Sequence, residues 1–210
     1  MSKYPARLRA ATLTLVAITS LTFAGCAWQS GSAPTVTYVL RAVPSNTTAP
    51  PRVATPISLK ILPAVVAPGY DTDHILLQRT DRSLDFFAAS RWAAPIPRLL
   101  ETLAAEVWRA GGVKTFDVGA STPATHTLRL TVLRFDVDGD PRTGPAAVLV
   151  RLRGTLSAQG ARSIQELEAE VSVPLGAVRM AEIVVAFEAA SNKVLAEMRD
   201  QAALGTPVTH

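Results

Sequence analysis

The most reactive side chain in this sequence is the thiol of Cys26, the single cysteine among 210 residues. Small residues occupy positions 24 and 25 directly before it, after an uncharged and mainly apolar run over residues 10–24. The first nine residues carry three positive and no negative side chains. A basic head, a short apolar run and small residues at the cut are typical of a secretory signal peptide. The run is shorter than the roughly 20 residues of a membrane-spanning helix, so a cleaved leader is predicted.

The position of Cys26 changes what this leader implies. Two small residues before a lone cysteine resemble the lipobox of bacterial lipoproteins, in which the thiol is diacylated and the leader is removed. Phe23 stands where leucine is usual, and the alternative is an ordinary secretion signal with an incidental cysteine. The motif predicts lipidation at Cys26. Two or three acyl chains would anchor the protein stably in a membrane. Position 27 is alanine, whereas lipoproteins retained in the inner membrane usually have aspartate there. In this respect the sequence resembles outer-membrane lipoproteins.

The rest of the chain is long enough for one domain. The predicted organisation is a signal peptide at 1–25, a lipidated tether at 26–34, a domain at 35–204 and a disordered tail at 205–210. The formal net charge of +4 includes three positive charges of the leader, so the mature chain carries +1. Proteins that bind nucleic acid usually show a clustered basic face. Here both signs alternate along the mature chain, so nucleic acid is not predicted as a partner.

The hydrophobic periodicity predicts both strands and helices. Strands are predicted at 35–40, 57–62, 74–79, 83–87, 113–118, 127–137, 147–156 and 164–173. The last three are joined by turns, which indicates an antiparallel meander, and a phase shift within 127–137 indicates a bulge. Helical spacing predicts one helix from about Ile96 to Gly111 and another over about 178–203. The prediction is a single α+β domain with an antiparallel-rich sheet packed by two main helices.

The Arg91-Trp92 pair is the most suggestive of a binding surface. Tryptophan and arginine are enriched at the hot spots of protein interfaces, so both are candidate partner-binding residues. The alternative is that Trp92 lies in the core beneath a helix. A shallow lipid groove under one of the apolar helix faces is a further alternative.

The stretch from Asp136 to Asp140 (DVDGD) resembles the start of a calcium-binding loop. An EF-hand needs glycine at its sixth position and an acid at its twelfth, where this chain has Pro141 and Ala147. A solvated hairpin tip is therefore predicted, with calcium binding as the alternative. Zinc-type spacings, serine nucleophile motifs and glycine-rich phosphate loops do not occur in the sequence. We accordingly predict no metal, no cofactor and no enzymatic activity.

Several short motifs, in their order and spacing, resemble a known family. They are 37–40 (TYVL), 57–63 (ISLKILP), 68–71 (PGYD), 75–79 (ILLQR), 91–93 (RWA), Pro95, and Phe135 followed by Asp138-Gly139. Together they look like the ABC-type transport auxiliary lipoproteins, which include the paraquat-inducible protein C type, from Cys26 to about Ala203. The resemblance implies an outer-membrane lipoprotein that faces the periplasm and accompanies transporters of the MCE (mammalian cell entry) type. Those systems move phospholipids or other hydrophobic cargo between membranes.

The resemblance also implies the partners of the chain. These are an MCE-domain protein and its ABC transporter complex, the outer membrane through the acyl chains, and further copies of the chain in a homo-oligomer. The implied mechanism is docking rather than catalysis. The alternatives are a lipid-binding carrier or an envelope-assembly lipoprotein not tied to an ABC transporter. A continuous apolar cavity would favour the carrier, whereas a filled core would favour the docking subunit, and a hydrolase would require Ser, His and an acid together in a cleft.

Overall fold

The computed structural model describes residues 34–43, 57–116, 119–160, 164–176 and 179–202. The chain divides into the units Met1–Pro34 and Thr35–His210, and the described strands and helices all belong to the second. The predicted signal peptide, Cys26 and the tail at 205–210 lie outside the described residues. Neither described helix is long and apolar enough to cross a membrane.

Eight strands and two helices make up the described parts of the domain. The strands are β1 (Val36–Tyr38), β2 (Ser58–Val66), β3 (His74–Gln78), β4 (Leu84–Trp92), β5 (Lys114–Phe116), β6 (His126–Asp138), β7 (Ala147–Ala158) and β8 (Ile164–Pro174). The helices are α1 (Ile96–Ala110) and α2 (Met180–Gln201). Each predicted strand and helix has a counterpart, so the α+β prediction is confirmed.

Strand β6 organises the sheet, because three different strands pair with it. Along one edge it pairs antiparallel with β7 over its whole length, and β8 continues this meander. Along the other edge, its first half runs parallel to β2 and its last two residues run parallel to β3. Strand β5 extends the sheet beyond β2, while β4 and then β1 extend it beyond β3. Both described helices pack on one face of the sheet. The opposite face, to which neither of them packs, is here called the outer face.

The predicted bulge in β6 is confirmed, since its register with β7 shifts between Val132 and Arg134. Strand β2 ends at the same level, where the N–H of Ala67 donates to the carbonyl oxygen of Val132 at 2.9 Å. The chain then leaves the sheet for residues 67–73 and returns as β3 beside the end of β6. Gly69, with φ +91°, makes the tight turn in this excursion.

The predicted end of the second strand at Leu62 is wrong, because β2 continues through Pro63 to Val66. Its register with β6 shifts between Leu62 and Val65, so the proline occupies an irregular position where a ladder N–H is not required. The next N–H, of Ala64, donates to Oε1 of Glu101 on α1 at 2.7 Å. A helix side chain thus replaces a ladder hydrogen bond and joins α1 to the sheet.

The core between the sheet and α2 centres on three aromatic rings. Trp92 packs edge-on against Phe135 and Phe187, with ring centroids 5.8 and 5.2 Å apart, and the two phenylalanines are 4.7 Å apart. Further along the same helix, α2 approaches β7 closely at Gly154, where a Cβ atom would lie 2.5 Å from Cε of Met198. The glycine therefore makes room for the methionine, and side chains fill this part of the core.

Candidate interaction surface

The outer face of β3 and β4 brings Arg91 together with apolar side chains. Register pairs place His74 opposite Arg91 and Leu76 opposite Phe86, so all four share this face. Between these pairs, β4 has extra residues, and Ala89 adopts a left-handed backbone conformation with φ 57°. This bulge reverses the alternation of β4, which is why the arginine points to the outer face.

Two large apolar side chains are exposed on this part of the sheet. Phe86 is 50% exposed and Leu84 is 39% exposed. The His74 ring stacks on Phe86 with centroids 4.3 Å apart. Arg91 forms an ion pair with Asp73 at 3.2 Å on the rim. We call these five residues the Phe86 surface. An apolar centre with a polar rim is also the general arrangement of protein interfaces.

The structure separates the two sequence-predicted residues. Trp92 is 2% exposed and lies in the aromatic core, which agrees with the alternative stated for it in the sequence analysis. Arg91, by contrast, is exposed. Any direct contact of this pair with a partner therefore falls to the arginine. Sequence reasoning missed the exposure of Phe86 and Leu84. The available signal was the run Leu84-Asp85-Phe86-Phe87, which is apolar on both faces of a predicted strand.

A buried polar network lies under the excursion that follows β2. Asp136 is on the outer face but is fully buried. The hydroxyl of Tyr70 donates to its Oδ2 at 2.5 Å, and the guanidinium of Arg134 donates to both of its oxygens, at 2.5 and 3.2 Å. Arg134 also pairs with Asp138 at 2.9 Å. The network fastens the excursion onto the sheet where none of the described strands pairs with β6 on that side.

The prediction of a solvated hairpin tip for residues 136–140 is wrong for Asp136, because Tyr70 covers it. It holds for Asp138, whose side chain is 57% exposed. It is wrong for Asp140 as well, whose side chain is 12% exposed and whose pKa is lowered to about 2 by hydrogen bonds from Arg142. The oxygens of these carboxylates thus bind arginine and tyrosine. Within the described ranges, no three His, Cys, Asp or Glu side chains come together as a metal site.

The first prediction concerns Tyr70. Burial, and then the hydrogen bond to Asp136, raise the pKa of its phenol well above the ordinary value of 10.0. The folded state therefore holds this proton more tightly than the unfolded state. The resulting stabilisation is complete below pH 10.0 and is lost as the pH rises above it. We expect the free energy of unfolding, measured in urea, to fall above this pH more steeply for the parent than for Tyr70→Phe. Tyr38→Phe is the matched control, and equal slopes for Tyr70→Phe and the parent would contradict the network.

A hydroxyl–imidazole cluster joins the starts of β2 and β6. The Thr125 hydroxyl lies 2.9 Å from Nδ1 of His126. The same hydroxyl accepts the N–H of Ser58 at 3.0 Å and lies 2.9 Å from the Ser58 carbonyl oxygen. Burial lowers the pKa of His126. Since the main chain of Ser58 uses the threonine hydroxyl as both acceptor and donor, the cluster fastens two strand ends together.

Comparison with family models matches residues 38–199 to the ABC-type transport auxiliary lipoprotein component. No curated protein matches the chain. Among solved structures, a crystal structure of a protein from Xanthomonas campestris is 20% identical, with a TM-score of 0.64 over 80% of this chain and 93% of that chain. An uncharacterized protein is 16% identical, with a TM-score of 0.62 over 80% of this chain and 99% of its own.

A weaker likeness is to a PelC dodecamer from Paraburkholderia phytofirmans. It is 14% identical, with a TM-score of 0.45 over 72% of this chain and 93% of that chain. Because the first two structures are 20% and 16% identical to this chain, their similarity to it shows the fold alone. That shared fold is the sheet with two helices described above.

Proposed function

The chain belongs to the family of ABC-type transport auxiliary lipoprotein components, and on that premise we propose that it is an accessory subunit of an MCE-type transport system. In this proposal it is anchored in the outer membrane, faces the periplasm, and helps phospholipid or other hydrophobic cargo to cross between the membranes. It acts by docking rather than by catalysis. The family match over residues 38–199 is the observation that carries the proposal.

The anchor in this proposal is acylated Cys26. Each buried methylene contributes about 0.8 kcal/mol to membrane binding, and a second or third chain makes the anchor effectively stable. Residues 27–34 would then connect the membrane to β1. Because docking depends on position, an anchor at the start of the domain is sufficient to hold it near its partner.

We propose that the Phe86 surface is where the MCE-domain partner binds. Its exposed ring and Leu84 provide apolar area, while Arg91 and Asp73 provide a polar rim. Aromatic and arginine side chains in such an arrangement carry most of the binding energy of known interfaces. The core offers support of another kind, since the rings of Trp92, Phe135 and Phe187 are in contact, and a filled core favours a docking subunit over a lipid carrier.

The second prediction tests anchoring and docking in one experiment. Membranes from cells labelled with palmitate are solubilised, and the tagged chain is tested for capture of the MCE-domain protein. We expect Phe86→Asp to reduce capture by about 30-fold, as loss of a hot-spot residue does, while the chain stays labelled and membrane-bound. Val185→Asp, at a 65% exposed position on α2, is the matched control and should capture normally.

The outcomes separate the two parts of the proposal. Cys26→Ser should lose the label, yet its purified domain should still bind the purified partner. A labelled chain that captures no MCE-domain protein would contradict docking but leave the anchor intact. Normal capture by Phe86→Asp would contradict the placement of the interface, and a parent chain without label would contradict the anchor.

A further inference from the structure

Three cations form a row on the outer face at the other end of β6, away from the Phe86 surface. They are Lys114 on β5, Lys60 on β2 and Arg129 on β6, and we call them the basic row. The register places Lys114 opposite Ser58, two residues before Lys60, and places Thr127, opposite Lys60, two residues before Arg129. With strands about 4.8 Å apart and a rise of about 3.3 Å per residue, the Cα atoms of successive members of the row lie roughly 8 Å apart.

Within the described ranges, no carboxylate lies within ion-pair distance of Lys60, Lys114 or Arg129. The ammonium of Lys60 donates to the carbonyl oxygen of Ala120 at 2.6 Å, which orients it without neutralising it. The ammonium of Lys114 lies 5.3 Å from the centroid of the Phe116 ring.

Strands β7 and β8, which continue the outer face beyond β6, differ because their arginines are paired with acids. On β7, Arg151 and Arg153 pair with Glu168 of β8 at 2.5 and 3.1 Å, and Arg151 also reaches Glu170 at 3.5 Å. Glu166 lies on the same face of β8, so the described residues of β7 and β8 place three acids against two arginines there and carry no excess of positive charge. The excess of positive charge is confined to β5, β2 and the first half of β6.

The basic row is surrounded by half-buried apolar and hydroxyl side chains. Phe116 and Leu62 lie beside it on the same face, and Thr127 lies between two of its cations. The cations stand on three different strands of an open sheet, so they do not converge on one small anion. Such an arrangement is complementary to a plane of separate, laterally mobile anionic groups.

We propose that the basic row binds the phosphate headgroups of an anionic phospholipid bilayer. Each lysine or arginine near such a surface strengthens binding roughly fivefold, and the effect weakens as salt screens the charges. Phe116 and Leu62 would face the interfacial region between the phosphates. The contact brings the β5 and β2 part of the outer face to the membrane, at the end of β6 away from the Phe86 surface, and does not depend on the identity of any transport partner.

The third prediction is tested by co-sedimentation with vesicles of phosphatidylcholine, with and without phosphatidylglycerol. The protein is the chain from residue 26 onward with Cys26→Ser, which keeps all the described strands and helices and removes the acylation site. We expect binding to the anionic vesicles only, decreasing as salt is raised. The combined substitutions Lys60→Gln, Lys114→Gln and Arg129→Gln should lower the partition coefficient by roughly a hundredfold.

A charge-matched control distinguishes the effect of this row on vesicle binding from the effect of net charge. Arg82→Gln, Arg179→Gln and Lys193→Gln together remove the same charge from the β3–β4 turn, the start of α2 and the middle of α2, and should change binding far less. Circular dichroism checks that both triple variants fold. If the basic-row variant does not fold, Arg129→Gln alone is tested instead and should bind roughly fivefold more weakly than the parent.

Three results would overturn the proposal. They are equal binding to neutral and anionic vesicles, parent-like binding of the basic-row variant, and an equally large loss in the control. Parent-like binding of the basic-row variant is also the result expected if the row served an acidic protein instead of a membrane.

Discussion

Replacing Trp92 with alanine should lower the free energy of unfolding by about 3–5 kcal/mol, the range found for large aromatic side chains in protein cores. The ring touches Phe135 of β6 and Phe187 of α2, so its removal takes contacts from both layers of the domain. These edge-to-face contacts contribute beyond simple burial, and the tightly packed surroundings would collapse only partly into the cavity.

Urea unfolding followed by circular dichroism measures this fourth prediction, since the substitution removes a fluorescent probe. Trp92→Phe should cost less, because it keeps a ring and because the indole Nε1 has no hydrogen-bond partner in the described part of the chain. Arg91→Ala is the matched neighbour. Its ion pair with Asp73 is exposed, so the loss should stay below about 1 kcal/mol. A Trp92→Ala protein of parental stability that fails to capture the MCE-domain partner would contradict the core role.

The contrast between Arg91 and Trp92 shows what local sequence can and cannot provide. Composition indicated that the pair is unusual, but the side to which each residue points depends on the bulge at Ala89. That bulge arises from the pairing of β4 with β3, where the six residues from Phe86 to Arg91 lie against the three from His74 to Leu76. The alternation of a single strand contains no information about such an offset.

Regions with local hydrogen bonding were predictable from sequence. The β6–β8 meander follows from alternation and turn residues, and α1 ends at Gly111 as expected. The continuation of β2 through Pro63 was not predictable, because it depends on the Glu101 carboxylate that accepts the next N–H from another element. The parallel pairing of β1 with β4, and of β5 with β2, is likewise long-range and leaves no periodic pattern.

The buried carboxylate of Asp136 is the clearest case of a long-range cause, and it carries the fifth prediction. Its partners are Tyr70, 66 residues away in sequence, and Arg134, two residues before it and directly after the β6 bulge. We expect Arg134→Met to lower the free energy of unfolding by about 3 kcal/mol or more, because it leaves a fully buried charge with one neutral donor. Methionine retains much of the aliphatic stem, so the lost charge pair is the main change.

A double-mutant cycle isolates this effect. Adding Asp136→Leu to Arg134→Met removes the stranded charge, so the double variant should recover much of the lost stability, because an apolar replacement of a buried pair is often neutral. Arg151→Met on the same face is the control; its pair with Glu168 is solvent-exposed and should be worth no more than about 1 kcal/mol. Strictly additive losses, or an Arg134→Met protein no less stable than Arg151→Met, would show that the Asp136 network does not fasten the excursion to the sheet.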